Sequence, residues 1–427
     1  MAASGRFDIS VHFIQLLVCC AWLVTNSQLA QSAPIKITFD GCIPGFANNK
    51  TQYCCPPPYK GEIVDFCPKR NMSKPLRVRK ALQCLSGHEL KVYTEKLDKA
   101  YTILRNLPDD DPRSLNQQKR LHCSYGTGGF VQQGTDNITI DIHFSWLFFP
   151  WHRYFIYFHE RIIQHVLDDP EFSLHFWNWD NGFTVHKPKG ARSGCYKRGD
   201  LLPPIYNITG MGQYQNRSSR TKLPGLPVDL GIVPEERDNP PTRPAEVVKP
   251  RNLATMHASM VTVGNTTRGF MGRIYRYGDY QVLDPLTGAG GLEVMGHASI
   301  HWWVGNTMGV VETSAGDPLF YAHHSNIDRL WNNWHKVPGG ERVDYSDPDF
   351  LEAEFLFYDE TATIRRVKVK DALDMEEFGY KFQKANDISW IDYVPTVNST
   401  SNSTINSTDS YKPQVKQVNA AARKCHK

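Results

Sequence analysis

Six of the 16 histidines fall into two groups of three, which are His122, His143 and His152 in the first half of the chain and His297, His301 and His324 in the second. A neutral imidazole binds a metal ion through a ring nitrogen, and three imidazoles without a carboxylate suit copper, zinc or iron. The grouping therefore predicts two metal sites without choosing the metal. Each histidine taken alone would more often be a surface or packed residue.

The spacing within the second group indicates a site built from two helices. His297 and His301 are four residues apart, about 40° around an α-helix, so both rings leave one face and can reach one ion. Residue 298 is Ala298 rather than glutamate, which excludes the zinc-protease pattern H-E-x-x-H. His324 would come from a second helix. Its neighbour His323 points about 100° away, so at most one of the two faces the metal.

Pro150 determines the geometry of the first group. His143 and His152 are nine residues apart and would lie on opposite faces of one unbroken helix. Because proline is favoured in a first helical turn, Pro150 predicts a new helix just before His152 and leaves His143 in the preceding segment, free to turn inward. His159, two turns after His152, is too distant to share its ion and is expected to be packed or to support the site from behind.

The elements that must position these histidines are mostly helical. Helical patterns cover residues 79–107, 150–169, 294–304 and 318–334. Residues 355–373 alternate around a polar turn and predict a β-hairpin, with apolar positions at Phe355, Phe357, Ile364, Val367 and Val369. Residues 181–255 are polar and proline-rich, which indicates long surface loops rather than a second core.

The composition sets the limits for these elements. The chain has 427 residues, 41% of them hydrophobic, with 48 Lys+Arg against 44 Asp+Glu and a net charge of +4. This content supports a packed core and excludes a disordered or fibrous chain. The charge is spread without a long basic run, so nucleic acid is not an expected partner.

The first residues are typical of a secretory signal peptide, which we expect to cover residues 1–32. Arg6 precedes an apolar stretch from Val11 to Val24, and small residues follow it. A membrane anchor is the weaker alternative, because this stretch is shorter than the roughly 20 apolar residues of a span. We expect no membrane association after removal of the signal.

Two further features favour the secretory pathway, with an extracellular or vacuolar destination. Nine Asn-x-Ser/Thr acceptors are present, at Asn49, Asn71, Asn137, Asn207, Asn216, Asn265, Asn398, Asn402 and Asn406. Ten cysteines are present, and the eight outside the signal segment form an even number that an oxidising compartment could pair. Residues 394–427, rich in Ser, Thr and Asn, are expected to be a disordered, glycosylated tail.

Five sequence runs carry a resemblance to a known family: HCSYG, SWLFFPWHRYFIYFHERII, FWNWD, HASIHWWVG and DPLFYAHHSNIDRLW. They resemble the two copper-binding regions of the type 3 copper proteins, and most closely those of plant polyphenol oxidases, the tyrosinases and catechol oxidases. The resemblance covers about residues 40–393 and is specific, because the order of the six histidines recurs together with the flanking sequence.

The resemblance implies a mainly α fold. Residues 34–335 would form a dicopper domain, a four-helix bundle with long loops and a disulfide-stapled N-terminal arm, followed by a small β-hairpin segment over 336–393. His122, His143 and His152 would bind copper A, and His297, His301 and His324 copper B. The spacing D-P-x-F-x-x-x-H selects His324 over His323, which would then support the site.

Further residues take implied roles. Glu293 matches the glutamate that holds a water molecule in the plant enzymes. Asp328 and Asp180 are candidate carboxylates for orienting imidazoles through the nitrogen that does not bind metal. Ala298 occupies a position that is often Asn in relatives that hydroxylate monophenols. Val311 stands where a phenylalanine often narrows the entrance, so a wider entrance is expected.

Cysteine positions also follow from the resemblance. It implies disulfides Cys42–Cys55 and Cys54–Cys123 and leaves the partners of four others open, at Cys67, Cys84, Cys195 and Cys425. Plant relatives join the second histidine of the first copper site to a cysteine in the motif HCxYC. This chain has Gly126 at the last position of that motif, so we expect His143 to carry no thioether.

The implied activity is oxidation of o-diphenols (catechols) to o-quinones by O2, with weak hydroxylation of monophenols. The expected partners are therefore O2 and small phenols. An oxygen-binding protein of the haemocyanin type and a secreted glycoprotein with an inactive site are the alternatives. The sequence leaves the physiological phenol and the oligomeric state open.

Overall fold

Long helices surround the histidine groups in the computed structural model of the chain. The structure describes residues 32–182, 197–207, 217–218, 221, 223, 225–239, 241–281, 285–384 and 389–394. These ranges leave out residues 1–31 of the predicted signal peptide and residues 395–427 of the predicted tail. Cys195 and Cys425 also lie outside them. None of the helices in the described ranges combines the length and apolar character that a membrane crossing requires.

The predicted helical character is confirmed. Within the described ranges the α-helices are α1 (Gly87–Asn106), α2 (Leu115–Gly126), α3 (Phe148–Leu167), α4 (Ala245–His257), α5 (Thr267–Met271), α6 (Pro285–Gly288), α7 (Ala298–Val304), α8 (Leu319–Trp334) and α9 (Pro348–Leu351). A π-helical turn, Leu292–His297, leads directly into α7. Five of the six candidate ligands lie in these helical segments: α2, α3, the π-helical turn with α7, and α8.

Helix α3 lies at the centre of the core. Its residues from Phe148 to Glu160 are all buried, and most of them are aromatic or aliphatic, which suits an interior helix. Pro150 lies in the first turn, where its missing N–H leaves no intrahelical bond unmade, as the sequence predicts. The helix ends at Asp168, which adopts a left-handed conformation (φ 53°).

Helix α1 starts later than its pattern predicts. The expectation of helix from residue 79 is wrong, because Arg77–Arg79 form a strand that pairs in parallel with Tyr380–Phe382. Ala81 then bridges to Phe176, so the segment is drawn into sheet contacts before Gly87 begins the helix.

Short strands cover the outside of the bundle. They are β1 (Ile37–Cys42), β2 (Gly45–Ala47), β3 (Lys50–Gln52), β4 (Val64–Asp65), β5 (Arg77–Arg79), β6 (Phe130–Gln132), β7 (Thr139–Ile140), β8 (Glu354–Tyr358), β9 (Ile364–Lys368) and β10 (Tyr380–Phe382). They form the sheets β1-β6-β7, β2-β3, β4-β9-β8 and β5-β10.

The predicted β-hairpin is confirmed as β8 and β9, with Phe355 opposite Val367 and Tyr358 opposite Ile364. All five of its predicted apolar positions are buried. Phe357 stacks on Phe158 of α3 with ring centroids 5.6 Å apart. The hairpin therefore closes one side of the central helix.

Disulfides attach the N-terminal arm to the bundle. The bonds Cys42–Cys55 and Cys54–Cys123 are both present, as the resemblance implies. Cys123 directly follows His122, so the second bond fixes the arm beside a candidate metal ligand. Cys67 and Cys84 are also disulfide-bonded.

A buried network of charges joins α3 to α8. Arg153 Nε donates to Asp328 Oδ1 (2.6 Å), and Arg79 Nη1 donates to Asp328 Oδ2 (3.2 Å). Arg79 also donates to Glu160 (3.0 Å), and the Tyr380 hydroxyl donates to Asp328. All of these side chains are almost completely buried. Each charge is compensated only as long as the helices and strands keep their register.

We expect Asp328→Asn to lower the free energy of unfolding by about 3 to 5 kcal/mol, because it removes the buried carboxylate that pairs with Arg153 and leaves Arg79 with Glu160 alone. Chemical denaturation measures this loss. Asp65→Asn is the matched control: Asp65 pairs with Arg366 at 2.9 Å but is 81% exposed, so its loss should change stability by at most about 1 kcal/mol. Equal effects of the two substitutions would contradict the structural role of the network.

Candidate metal centre

The structure brings the two predicted groups of histidines together. In the first group, His122 comes from α2, His152 from α3 and His143 from the loop between β7 and α3. The second group is joined by His323: one nitrogen from each ring of His297, His301, His323 and His324 lies within 4.8 Å of the others. The same limit holds among the three rings of the first group.

Four of the rings are oriented by backbone carbonyl oxygens that accept from Nδ1. These pairs are His122 with Val311 (3.1 Å), His152 with Phe148 (2.8 Å), His297 with Glu293 (3.2 Å) and His301 with Met308 (2.7 Å). A carbonyl oxygen only accepts, so the proton of each neutral ring lies on Nδ1. Nε2 then presents a lone pair in every case.

These lone pairs have no suitable protein partners. The Nε2 atoms of His297 and His301 are 3.1 Å apart, yet neither carries a proton to donate. Nε2 of His122 and of His152 is buried without any hydrogen bond. Buried polar atoms are rarely left unpaired, and a cation shared between the rings would satisfy all of them. The donor set therefore fits metal ions held by neutral imidazoles.

Burial keeps these rings in the form that binds metal. Removal from water, reinforced by neighbouring imidazoles, lowers the pKa of His122, His152, His297 and His324 well below the usual range. Burial also lowers the pKa of His301 to about 4. At neutral pH each of these nitrogens is thus available without first losing a proton.

A tryptophan distinguishes His323 from His324. Trp179 Nε1 donates to Nδ1 of His323 at 3.0 Å, and indole N–H is only a donor. The proton of neutral His323 therefore lies on Nε2, which leaves no lone pair for a metal. Neither nitrogen of His324 has a protein partner. We therefore propose His324 as the third ligand of the second site and His323 as a supporting ring that stacks on His297.

The two groups face each other across a short gap. His152 and His324 are stacked with ring centroids 4.3 Å apart, and the rings of His143 and His297 are 6.5 Å apart. Two ions held by these groups would be neighbours able to act on one substrate.

A cavity of about 180 Å³ opens beside the rings. Its apolar wall includes Val294, Ala298, Met308, Val310 and Val311, and its carboxylates are Asp141 and Glu293. Val311 thus has two roles, since its side chain lines the cavity while its carbonyl holds His122.

Glu293 is nearly completely buried, with 1% of its surface exposed. Oε1 accepts from the backbone N–H of Phe144 at 2.7 Å, whereas Oε2 has no protein partner. Burial raises the pKa of this carboxyl well above its usual range, and the hydrogen bond from Phe144 opposes that shift.

The expectation that Asp328 and Asp180 orient imidazoles is wrong. Asp328 accepts from arginines and a tyrosine, as described above. Asp180 accepts from Asn326 Nδ2 (2.9 Å), Trp390 Nε1 (3.2 Å) and Arg329. Both carboxylates are buried where charged and polar donors surround them, and neither accepts a hydrogen bond from a ring of the two groups.

His159 is a packed residue, one of the two roles expected for it. Its Nδ1 pairs with Gln118 (2.6 Å), its Nε2 with the Tyr101 hydroxyl (2.9 Å), and its ring stacks on Tyr321. Both nitrogens are therefore occupied by protein groups.

Asp141 is a site residue that the sequence reasoning missed. Its Oδ1 accepts from both the backbone N–H (2.8 Å) and Nδ1 (3.0 Å) of His143. The available signal was its position two residues before His143, because aspartate commonly accepts from the N–H two residues on.

Gly126 lies against the ring of His143. A Cβ at position 126 would be only 2.8 Å from Cε1 of His143 and 2.8 Å from Cγ2 of Val311. The end of α2 can approach the ring this closely because glycine has no side chain.

We expect His324→Ala to reduce bound copper from two ions to one per chain, because it removes one of three imidazoles from the second site. His323→Ala is the matched control and should retain both ions, since Nε2 of His323 carries a proton. Metal analysis of the copper-loaded proteins measures the difference. Full copper in the His324 variant, with loss only in the His323 variant, would reverse the assignment.

We also expect His143 to be free of covalent modification, because Gly126 supplies no sulfur at the position that touches its ring. Mass analysis of the peptide containing His143 should give its unmodified mass. Detection of this peptide joined to any cysteine would disprove the expectation.

Comparison with known families agrees with this geometry. Residues 112–337 match the common central domain of tyrosinase, and residues 344–396 match the polyphenol oxidase middle domain. The first match contains all six proposed ligands.

Individual relatives extend the match over most of the chain. Aureusidin synthase of Antirrhinum majus is 38% identical over 80% of this chain, and the chloroplastic latent polyphenol oxidase of Prunus armeniaca is 38% identical over 89%. The chain spans only 57% and 59% of the lengths of these two proteins.

A solved structure shows the same fold. The crystal structure of Grenache (Vitis vinifera) polyphenol oxidase superimposes with a TM-score of 0.72 at 36% identity, over 84% of this chain and 99% of that one. The two histidine groups could therefore hold the two copper ions of this family. The chain belongs to the plant polyphenol oxidases, which are tyrosinase-type dicopper proteins.

Proposed function

We propose that the chain is a dicopper oxidase that converts o-diphenols to o-quinones with O2 and hydroxylates monophenols only weakly. The observation that carries this proposal is the pair of buried imidazole groups, with unpaired lone pairs facing each other beside one cavity. When bound, two adjacent copper ions would take up the two electrons that oxidation of a catechol releases.

The cavity supports a small aromatic substrate. An engineered protein cavity of about 150 Å³ binds benzene, so about 180 Å³ accommodates one phenolic ring. Val294, Val310 and Val311 give the ring an apolar wall. Val311 also lines the cavity, and we propose that its small side chain leaves the entrance wider than a phenylalanine would.

Glu293 is the proposed proton acceptor. It lines the cavity, and its Oε1 is held by Phe144, which fixes the carboxylate in place. Its Oε2 has no protein partner and can accept a phenolic proton, directly or through a water molecule. Burial favours this role, because a carboxylate with a raised pKa is a stronger base.

Ala298 is the residue proposed to limit monophenol hydroxylation. It lines the cavity directly after His297 but offers no hydrogen-bonding group. A water molecule beside Glu293 would therefore be polarised by one side chain only, and a monophenol would lose its proton less readily.

We expect O2 consumption with a simple catechol to be much faster than with the matching monophenol. Ala298→Asn should raise the monophenol rate several-fold while the catechol rate changes little, because the amide adds a second group to polarise the water. Oxygen-electrode assays of the wild type and of Ala298→Asn measure the ratio of the monophenol rate to the catechol rate. A wild-type chain that hydroxylates tyramine as fast as it oxidises its catechol would contradict the proposal.

The same assay tests the proposed activity as a whole. Reversible O2 binding without catechol turnover would indicate a haemocyanin-like carrier. A copper-loaded chain that neither binds nor consumes O2 would indicate an inactive glycoprotein.

For localisation, we propose the secretory pathway, although several relatives are named as chloroplastic. Within the described part of the chain, the side chains of four predicted glycosylation acceptors are exposed: Asn49, Asn71, Asn137 and Asn265. The disulfides of the arm also favour an oxidising compartment. Native protein without any N-linked glycan would count against this route.

A further inference from the structure

His143 is held differently from the other candidate ligands. It lies in the loop between β7 and α3, whereas the other five lie in helical segments. The next residue, Phe144, adopts a positive φ of 58°, so the backbone here follows an irregular path. The backbone of His143 is not fixed by the hydrogen bonds of a helix, so another group must set the orientation of its ring.

The side chain of Asp141 supplies that orientation. Its Oδ1 accepts from the backbone N–H and from Nδ1 of His143, so one oxygen fixes both the loop and the ring. The carboxylate also sets the tautomer, because a proton on Nδ1 leaves the lone pair on Nε2. Among the described residues, no lysine or arginine forms an ion pair with Asp141.

Gly126 also lies against the ring, near Cε1 and Nδ1, but it has no side chain that could hold the imidazole. Nδ1 of each of four other candidate ligands donates to a backbone carbonyl oxygen, and a side-chain substitution does not remove such a partner. Nδ1 of His143 alone among these five donates to a side chain.

We propose that Asp141 is the positioning residue of the first copper site, where it holds His143 in the orientation and tautomer that bind metal. The proposal rests on the copper pair and not on the identity of the substrate. Copper binding therefore tests it independently of turnover.

The experiment uses the full chain loaded with two copper(I) ions and equilibrated against increasing concentrations of a copper(I) chelator. In Asp141→Ala we expect one copper to be held about 10- to 100-fold more weakly and the second to be retained as in the wild type. Asp141→Asn keeps an oxygen that can accept both bonds but lacks the charge, so a smaller weakening of the same copper is expected.

Asp374→Ala is the matched control. Asp374 also accepts from the backbone N–H two residues on, at 2.9 Å from Glu376 N, but it contacts no imidazole. The Asp374→Ala variant should bind both copper ions with the same affinities as the wild type. Retention of the second copper in the Asp141 variants also shows that they are folded.

Two results would overturn the proposal: unchanged copper affinity in Asp141→Ala, or equal weakening of both coppers. If Asp141→Ala does not fold, Asp141→Asn decides. Weakening confined to one copper then supports the proposal, and unchanged affinity of both refutes it. Absence of catechol oxidation in a chain that passes this test would refute only the proposed activity.

Discussion

The buried contact between Arg153 and Asp328 is the interaction on which the site most depends. Arg153 follows His152 directly on α3, and Asp328 lies one turn beyond His324 on α8. A shift of one helix along the other would separate this charge pair and the stacked rings of His152 and His324 together. Breaking this buried ion pair costs energy because it leaves an unpaired charge in the interior. The same cost therefore opposes any change in the distance between the two histidine groups.

The centre itself is an unfavourable arrangement without metal. The Nε2 atoms of His122, His152, His297 and His301 are acceptors. The six rings meet in three pairs, edge to face or stacked. Such nitrogens lose their hydration on folding and gain no donor in return. The surrounding aromatic core and ionic network must supply the energy that keeps them there, and bound copper then relieves the deficit.

Sequence reasoning succeeded where a repeating pattern determines position. The interval between His297 and His301 places both on one face of a helical segment, and Pro150 separates His143 from the helix of His152. It failed where tertiary contacts decide. Asp328 and Asp180 look like partners for histidines because they follow histidine-bearing or aromatic runs, yet arginines distant in sequence occupy their oxygens. Asp141 and Trp179 acquire their roles only when separate segments meet, so a linear pattern does not reveal them.

The Cys54–Cys123 bond connects the maturation of the site to the redox state of its surroundings. It closes a loop across 69 residues and, on a chain-entropy account, contributes roughly 4 kcal/mol by restricting the unfolded chain. Its second sulfur belongs to the residue after His122, so a reduced chain would lose the covalent link between the arm and the helix that presents this ligand. A compartment that forms disulfides therefore also stabilises the surroundings of the first site.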